Sequence, residues 1–233
     1  MVSAVDGCVY ARATRARAVR RGKVYVAARG KKQPPPPTTK KKKTQERPNT
    51  TTERGRGGAT ELTAATLGGV EENHALEQFF YDDETTKRLM TIAKRYERPV
   101  FMCNPSLASA WERERAGEEY VLLDCDMRFK GLLKGFKAFN LFGPFAILRF
   151  QYDVVFCDPP FANVTPAQVK RAIDMMAGTE EQRDADVYLA YNSDREDVLL
   201  SEFDGLARMG RSLGYKSVKE GMQQKIHLYG PKV

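Results

Sequence analysis

From about residue 60 to the end, short apolar runs alternate with stretches of helical length, and nothing else in the chain limits its fold as much. The runs are PVFMCNPS (99–106), EYVLLDCDMRF (119–129), GFKAFNLFGP (135–144), ILRFQYDVVFCDPP (147–160) and DVYLAYNS (186–193). Between or beside them stand LASAWERERAG (107–117), TPAQVKRAIDMMAG (165–178) and REDVLLSEFDGLARMGRSLG (195–214), each expected to be a helix. Strands alternating with such helices predict an α/β fold with a mostly parallel sheet. Ahead of the first strand, residues 62–97 are expected to form a helix, an aromatic loop and a second helix. Asp83 or its neighbour would cap that second helix, with Leu89, Ile92 and Ala93 facing inward. YKSVKEG and KIHLYG at the end are expected to close the fold as a hairpin-like pair. Ligands of parallel α/β sheets bind at the carboxyl ends of the strands. Asn104, Asp126, Asn140, Asp158 and Asn192 fall at those ends.

Charge separates this domain from what precedes it. Residues 1–60 carry 16 of the 38 Lys and Arg against three acids, a net +13, whereas the remainder carries 22 against 27, a net −5. A fold that gripped a phosphate backbone by itself would carry the positive charge on its own surface. Residues 1–32 have the Arg-rich, acid-poor composition of an organelle transit peptide and predict plastid (chloroplast) import; the alternative is a basic tail on a cytoplasmic or nuclear protein. Residues 33–60, rich in Pro, Thr and Lys, bury too little to offset their ordering entropy and are expected to be a disordered linker. The domain itself is expected over 61–233. Cys8, Cys103, Cys125 and Cys157 form no C-x-x-C pair, and His74 and His227 are the two histidines, so neither a zinc site nor a disulfide framework is expected. No apolar run approaches the roughly 20 residues that span a bilayer, so a soluble protein is expected.

The densest chemistry lies in DPPF, residues 158–161. Two prolines fix φ near −65° and remove two N–H donors, which leaves carbonyl oxygens facing outward. The Asp158 carboxylate and the Pro159 carbonyl can then each accept a hydrogen from one amine nitrogen, aiming its lone pair at an electrophile. Phe161 offers a flat face for a base or an aliphatic chain. Such a turn suits a nucleophilic amine.

DPPF resembles the [D/N]-PP-[Y/F/W] signature of S-adenosylmethionine-dependent amino-group methyltransferases. With QFFYDDETTKRL (78–89), LLDCDMRF (122–129) and YDVVFCDPPF (152–161), the chain resembles the elongation factor 1-alpha lysine methyltransferase 1 family, first catalogued as putative N6-adenine-specific methyltransferases. The resemblance covers roughly residues 74–230. It implies a Rossmann-like seven-strand fold with S-adenosylmethionine as methyl donor and Asp158, Pro159, Pro160 and Phe161 as the catalytic turn. It further implies that Gln78, Phe79, Phe80 and Tyr81 close over cofactor or substrate. Asp124 and Asp126 would hold the ribose, the other reading of Asp126 being an ion pair with Arg128. Asn104, Pro105 and Ser106 would touch the methionine part, and Asn140 would stand where relatives carry an acid beside adenine.

Two amines fit this turn. Free lysine has a pKa near 10.4, so at pH 7 roughly 3.4 units, or about 4.6 kcal/mol, oppose its nucleophilic form. Burial lowers that pKa and Asp158 raises it. Adenine N6 is neutral, but its lone pair is delocalised and the base must be flipped from any duplex. The resemblance and the −5 domain favour a lysine on a basic protein, an elongation factor or a protein like one. The alternatives are N6-adenine methylation of DNA or RNA anchored by the +13 tail, and a non-catalytic binding module. Trp111, Met175 and Met176 are expected in the core, and ERER at 112–115 on a solvated face.

Overall fold

The structure, a computed structural model, describes residues 66–143 and 146–232; the expected transit peptide and linker lie outside them. Seven strands form one sheet: β3 (Pro99–Met102), β4 (Val121–Asp124), β5 (Phe136–Ala138), β6 (Val154–Cys157), β7 (Asp186–Asn192), β8 (Leu206–Met209) and β9 (Ile226–Pro231). They lie in the order β5-β4-β3-β6-β7-β9-β8, parallel throughout except that β9 runs antiparallel to both β7 and β8. The chain builds outward from β3 through β4 to β5, then returns to lay β6 against the other side of β3. The switch of direction therefore falls between β3 and β6, where open α/β sheets hold their ligands. This is the expected Rossmann-like seven-strand sheet.

The inner parallel strands β3, β4, β6 and β7 are four to seven residues of largely apolar character because both faces are covered, whereas the edge strands β5 and β8 are partly exposed. On one side Phe101, Leu122, Phe156 and Tyr188 pack with Leu89 and Trp111. On the other, Val100, Leu123, Val155 and Leu189 pack with Val169, Ile173 and Leu199. Helices α1 (Asp83–Ala93) and α2 (Pro105–Glu114) supply the first cover, α3 (Pro166–Met176) and α5 (Glu196–Glu202) the second; α4 (Glu180–Arg183) and α6 (Glu220–Gln223) are single turns. Asp82, the neighbour of Asp83, caps α1 by accepting the Thr85 N–H at 2.7 Å. Thr165 and Gln168 close a capping box on α3.

Four expectations need correction. The stretch before α1 holds no first helix in residues 66–76. It is a hairpin of β1 (Thr66–Leu67) and β2 (Val70–Glu71), then a single 3₁₀ turn. Gly68 and Gly69 both take positive φ, as a two-residue hairpin turn requires, and a glycine pair also breaks a helix. The long helix expected over 195–214 stops at Glu202, and Leu206–Met209 becomes the edge strand β8. YKSVKEG is not a strand, so the partners of KIHLYG are β7 and β8. Met175 is 44% exposed, while Met176 and Trp111 are buried as expected.

Gly214 sits where no side chain fits. A Cβ there would lie 1.9 Å from Asp82 Oδ2 and 2.7 Å from its Cγ. The backbone is held in place on both sides, because Gly214 accepts the Asp82 N–H and donates its own to the Thr85 hydroxyl. Gly214→Ala should evict the cap of α1 and cost about 1–3 kcal/mol, read as a lower urea midpoint. An unchanged midpoint would mean that the loop yields freely.

Candidate active site

Strand β6 ends at Cys157, and the next residue, Asp158, still bonds through its N–H to the Met102 carbonyl of β3 at 3.0 Å. The carboxylate thus stands at the mouth of the β3/β6 switch point. Pro159 and Pro160 are buried behind it. The Pro160 carbonyl accepts from the N–H groups of Asn163 and Val164, which turns the chain toward α3. Among the described residues no hydrogen bond reaches the Pro159 carbonyl.

Burial pushes the Asp158 carboxyl up to about 7, partly offset by the hydroxyls of Tyr81 and Tyr215. The Tyr215 hydroxyl donates to Oδ1 at 3.0 Å. Phe161 stands edge-on to Tyr191 at 6.1 Å, and Arg195 donates to the Phe161 carbonyl at 3.4 Å.

The two acids at the end of β4 part company. Asp124 is 5% exposed, faces the crevice and accepts the Asp126 N–H at 2.8 Å. Burial raises it to about 7. Asp126 instead takes three contacts of 2.6–3.0 Å from the Arg128 guanidinium. Burial acts to raise its carboxyl, but the Arg128 bonds outweigh this and hold it below the usual range. Arg128 also donates to the Gln78 side chain at 3.3 Å, tying the aromatic strip to this corner. The ion-pair reading of Asp126 is therefore the one this geometry favours.

Of the strip 78–81, Gln78 and Phe79 border the crevice. Phe80 is fully buried in the core and closes over nothing. Tyr81, 2% exposed, lies under Asp158 with its ring 4.9 Å from Tyr215. The loop after β3 also differs from expectation. Asn104 caps α2 by accepting the Leu107 N–H, Pro105 is that helix's first residue, and Ser106 accepts the Tyr81 N–H. All three are occupied structurally, and the residue that reaches the crevice is Cys103, held at φ 52. Asn140 spends its side chain on the Phe142 N–H, forming a turn after β5.

Two spaces meet at Asp158. The first is the narrow crevice over the switch point, lined by Gln78, Phe79, Cys103, Asp124, Cys125 and Pro160. The second is an apolar cleft of about 410 Å³ walled by Phe79, Phe161, Val218, Met222 and Ile226. Glu77, Phe79 and Asp158 border both. Glu77 reaches across to the Ala162 N–H at 3.1 Å and the Asn163 side chain at 2.7 Å, so it fastens the strip to the DPPF turn. Nothing in EQ at 77–78 separates Glu77 from any exposed acid in the sequence. Tyr215 in LGYKS is equally silent, since both roles exist only across long separations.

Residues 72–225 match the model of a family described as probable N6-adenine methyltransferase. The chain belongs to that family. No protein of curated function matches the methyltransferase. Among solved structures it is similar to a TehB-like S-adenosylmethionine-dependent methyltransferase from Corynebacterium glutamicum, at 12% identity and a TM-score of 0.44 over 65% of this chain and 89% of that one. It is also similar to the N-methyltransferase NodS from Bradyrhizobium japonicum with S-adenosylhomocysteine, at 13% identity and a TM-score of 0.42 over 67% and 89%.

The methyltransferase's cofactor is S-adenosylmethionine, and the crevice residues fit it. Asp124 offers an acceptor carboxylate at the end of the strand beside the switch point, where nucleotide-binding α/β folds hold ribose hydroxyls. Cys103, Phe79 and Pro160 give the same crevice soft, apolar walls.

Proposed function

We propose that the chain is a protein-lysine N-methyltransferase acting on a basic, elongation-factor-like protein. The observation that carries this reading is the apolar cleft ending on Asp158. Its walls of Phe79, Phe161, Val218, Met222 and Ile226 suit four methylenes better than a polar base edge, and burial of the stem promotes loss of the ammonium proton. In this reading the cofactor supplies an electrophilic methyl group. Asp158 and the Pro159 carbonyl take the two hydrogens of the neutral amine, and Phe161 holds the stem. Asp124 holds the ribose, with Gln78 and Phe79 closing the crevice. The −5 charge of residues 61–233 supports a basic partner. Plastid import of the chain belongs to the same proposal and rests on the composition of residues 1–32.

A second reading is N6-adenine methylation of a nucleic acid, which the family's description favours. Phe79 and Phe161 would then stack on a flipped base, and the +13 segment would grip phosphates. The test is transfer of labelled methyl to a whole-cell extract by the full chain, with nuclease or protease applied before counting. Protein-lysine methylation predicts label that survives nuclease and vanishes with protease. Label lost to nuclease would replace it with the adenine reading.

A further inference from the structure

We infer that Tyr215 is a positioning residue for methyl transfer: its hydroxyl holds one oxygen of Asp158 and so orients the carboxylate that, with the Pro159 carbonyl, grips the acceptor amine. The inference rests on the amino-group reading above, though not on which amine is used.

The hydroxyl is held from several directions. Tyr215 is 4% exposed, and its backbone pairs with Tyr81 in an isolated antiparallel bridge. Lys216 donates its N–H to the Phe80 carbonyl at 2.8 Å, and the Gln223 side chain donates to the Tyr215 carbonyl at 2.8 Å. The ring leans on Tyr81 at 4.9 Å. Behind this pair, buried Glu72 accepts both the Phe80 N–H and the Ser217 hydroxyl, clamping the strip and the 215–218 loop together. The donor to Oδ1 is therefore fixed before any ligand arrives.

A carboxylate with two idle oxygens can turn about its Cβ–Cγ bond, and an amine held by it turns too. With Oδ1 engaged by Tyr215, that rotation stops. Misplacing a nucleophile by an ångström is enough to slow transfer about a hundredfold. The bond acts on charge as well, since a donor to a carboxylate favours the ionised form. Of the other groups facing Asp158, Tyr81 shares this work, since its hydroxyl also bonds the carboxyl and favours the ionised form at least as much as Tyr215 does. The rest contribute little. Cys157 on its own strand, and Cys103 at the end of β3, are thiols that burial keeps protonated. Glu77 and Asp124 line the crevice with Asp158, and Lys219 and His74 line the cleft.

Tyr215→Phe keeps the ring and deletes the donor. With the full chain at pH 8, it is expected to lower kcat about 10- to 100-fold while KM for S-adenosylmethionine stays within about twofold. The acidic limb of its rate profile should move to higher pH. A second readout needs no acceptor at all: the ¹³C carboxyl titration of Asp158 with S-adenosylhomocysteine bound, assigned by its loss in Asp158→Asn. That midpoint should rise in Tyr215→Phe and fall when 3-fluorotyrosine, a stronger donor, replaces Tyr215. Tyr229→Phe, which removes a buried hydroxyl bonded to Glu196, should move neither. If limb and midpoint stay put while thermal stability drops, Tyr215 only packs and the inference is overturned. If the wild-type chain methylates no protein lysine, the proposed function fails, yet the Asp158 midpoints still decide the role of Tyr215.

Discussion

Asp158→Asn is expected to reduce methyl transfer by about 10²- to 10⁴-fold and at the same time to stabilise the fold at pH 8. The asparagine has the same shape, and its carbonyl can still accept from Tyr215. Its amide nitrogen, however, presents hydrogens where the acceptor amine needs an acceptor, so the nucleophile is repelled from its aim. The stability effect follows from burial. The folded-state pKa of Asp158 is raised to about 7, well above the ordinary aspartate value of 3.8. A group raised in this way contributes stability that is present in full below pH 4 and is lost as pH climbs through 7. At pH 8 the wild-type fold therefore carries an expensive buried charge that asparagine removes, a gain of about 1–3 kcal/mol. Comparing melting temperatures at pH 5 and pH 8 separates this from a general packing effect, because the gain should be clearly smaller at pH 5 and vanish below pH 4. The wild-type rate should fall roughly tenfold per unit below about pH 7, as the carboxyl takes up its proton. Full turnover by Asp158→Asn at pH 8 would remove this residue from the reaction.

The second large effect lies in the core. Trp111→Ala should cost about 3–5 kcal/mol, measured by urea denaturation. The indole is fully buried on α2, 6.0 Å from Phe101 of β3, and the Arg115 guanidinium covers it at 5.2 Å. Its N–H has no hydrogen-bond partner among the described residues, so the loss is one of packing and cavity, with no polar bond broken. Trp111→Phe should recover more than half. Because α2 and β3 frame the loop that carries Cys103, the alanine variant should also bind S-adenosylmethionine more weakly. If Trp111 were instead an aromatic wall for substrate, alanine would raise KM for the acceptor and leave the urea midpoint in place.

The legibility of this chain divides along the range of its interactions. Five parallel strands and helix α3 were plain in the sequence, because each strand is a local apolar run and α3 is a helical pattern opened by Thr165 and Pro166. Asp158 and Pro159 were legible for the same reason, since two prolines determine the backbone whatever surrounds it. Apart from the local Gly68–Gly69 turn, the misreading with the clearest cause arose where a local pattern was outvoted at a distance. LARM at 206–209 sits in a helix-like stretch, but β9 offers it an antiparallel partner, and a paired edge strand satisfies backbone groups that a frayed helix end would leave to water. The side chains of Asn104, Ser106 and Asn140, at or just after strand ends, accept the backbone N–H groups of Leu107, Tyr81 and Phe142, bonds that the sequence reading did not include.

The fold class and the identity of the turn that carries Asp158 could be read from the amino-acid sequence alone. Periodicity, proline geometry and charge act over a few residues and are written there directly. The tertiary structure decided which acids and aromatics meet at that turn. It leaves Asp124 lining the crevice and pairs Asp126 with Arg128, withdraws Phe80 into the core, and brings Glu77 and Tyr215 to the DPPF turn from 81 residues before Asp158 and 57 after it. Hydrogen bonds between residues so far apart in the chain depend on how the sheet and its covering segments pack, and no local pattern records them.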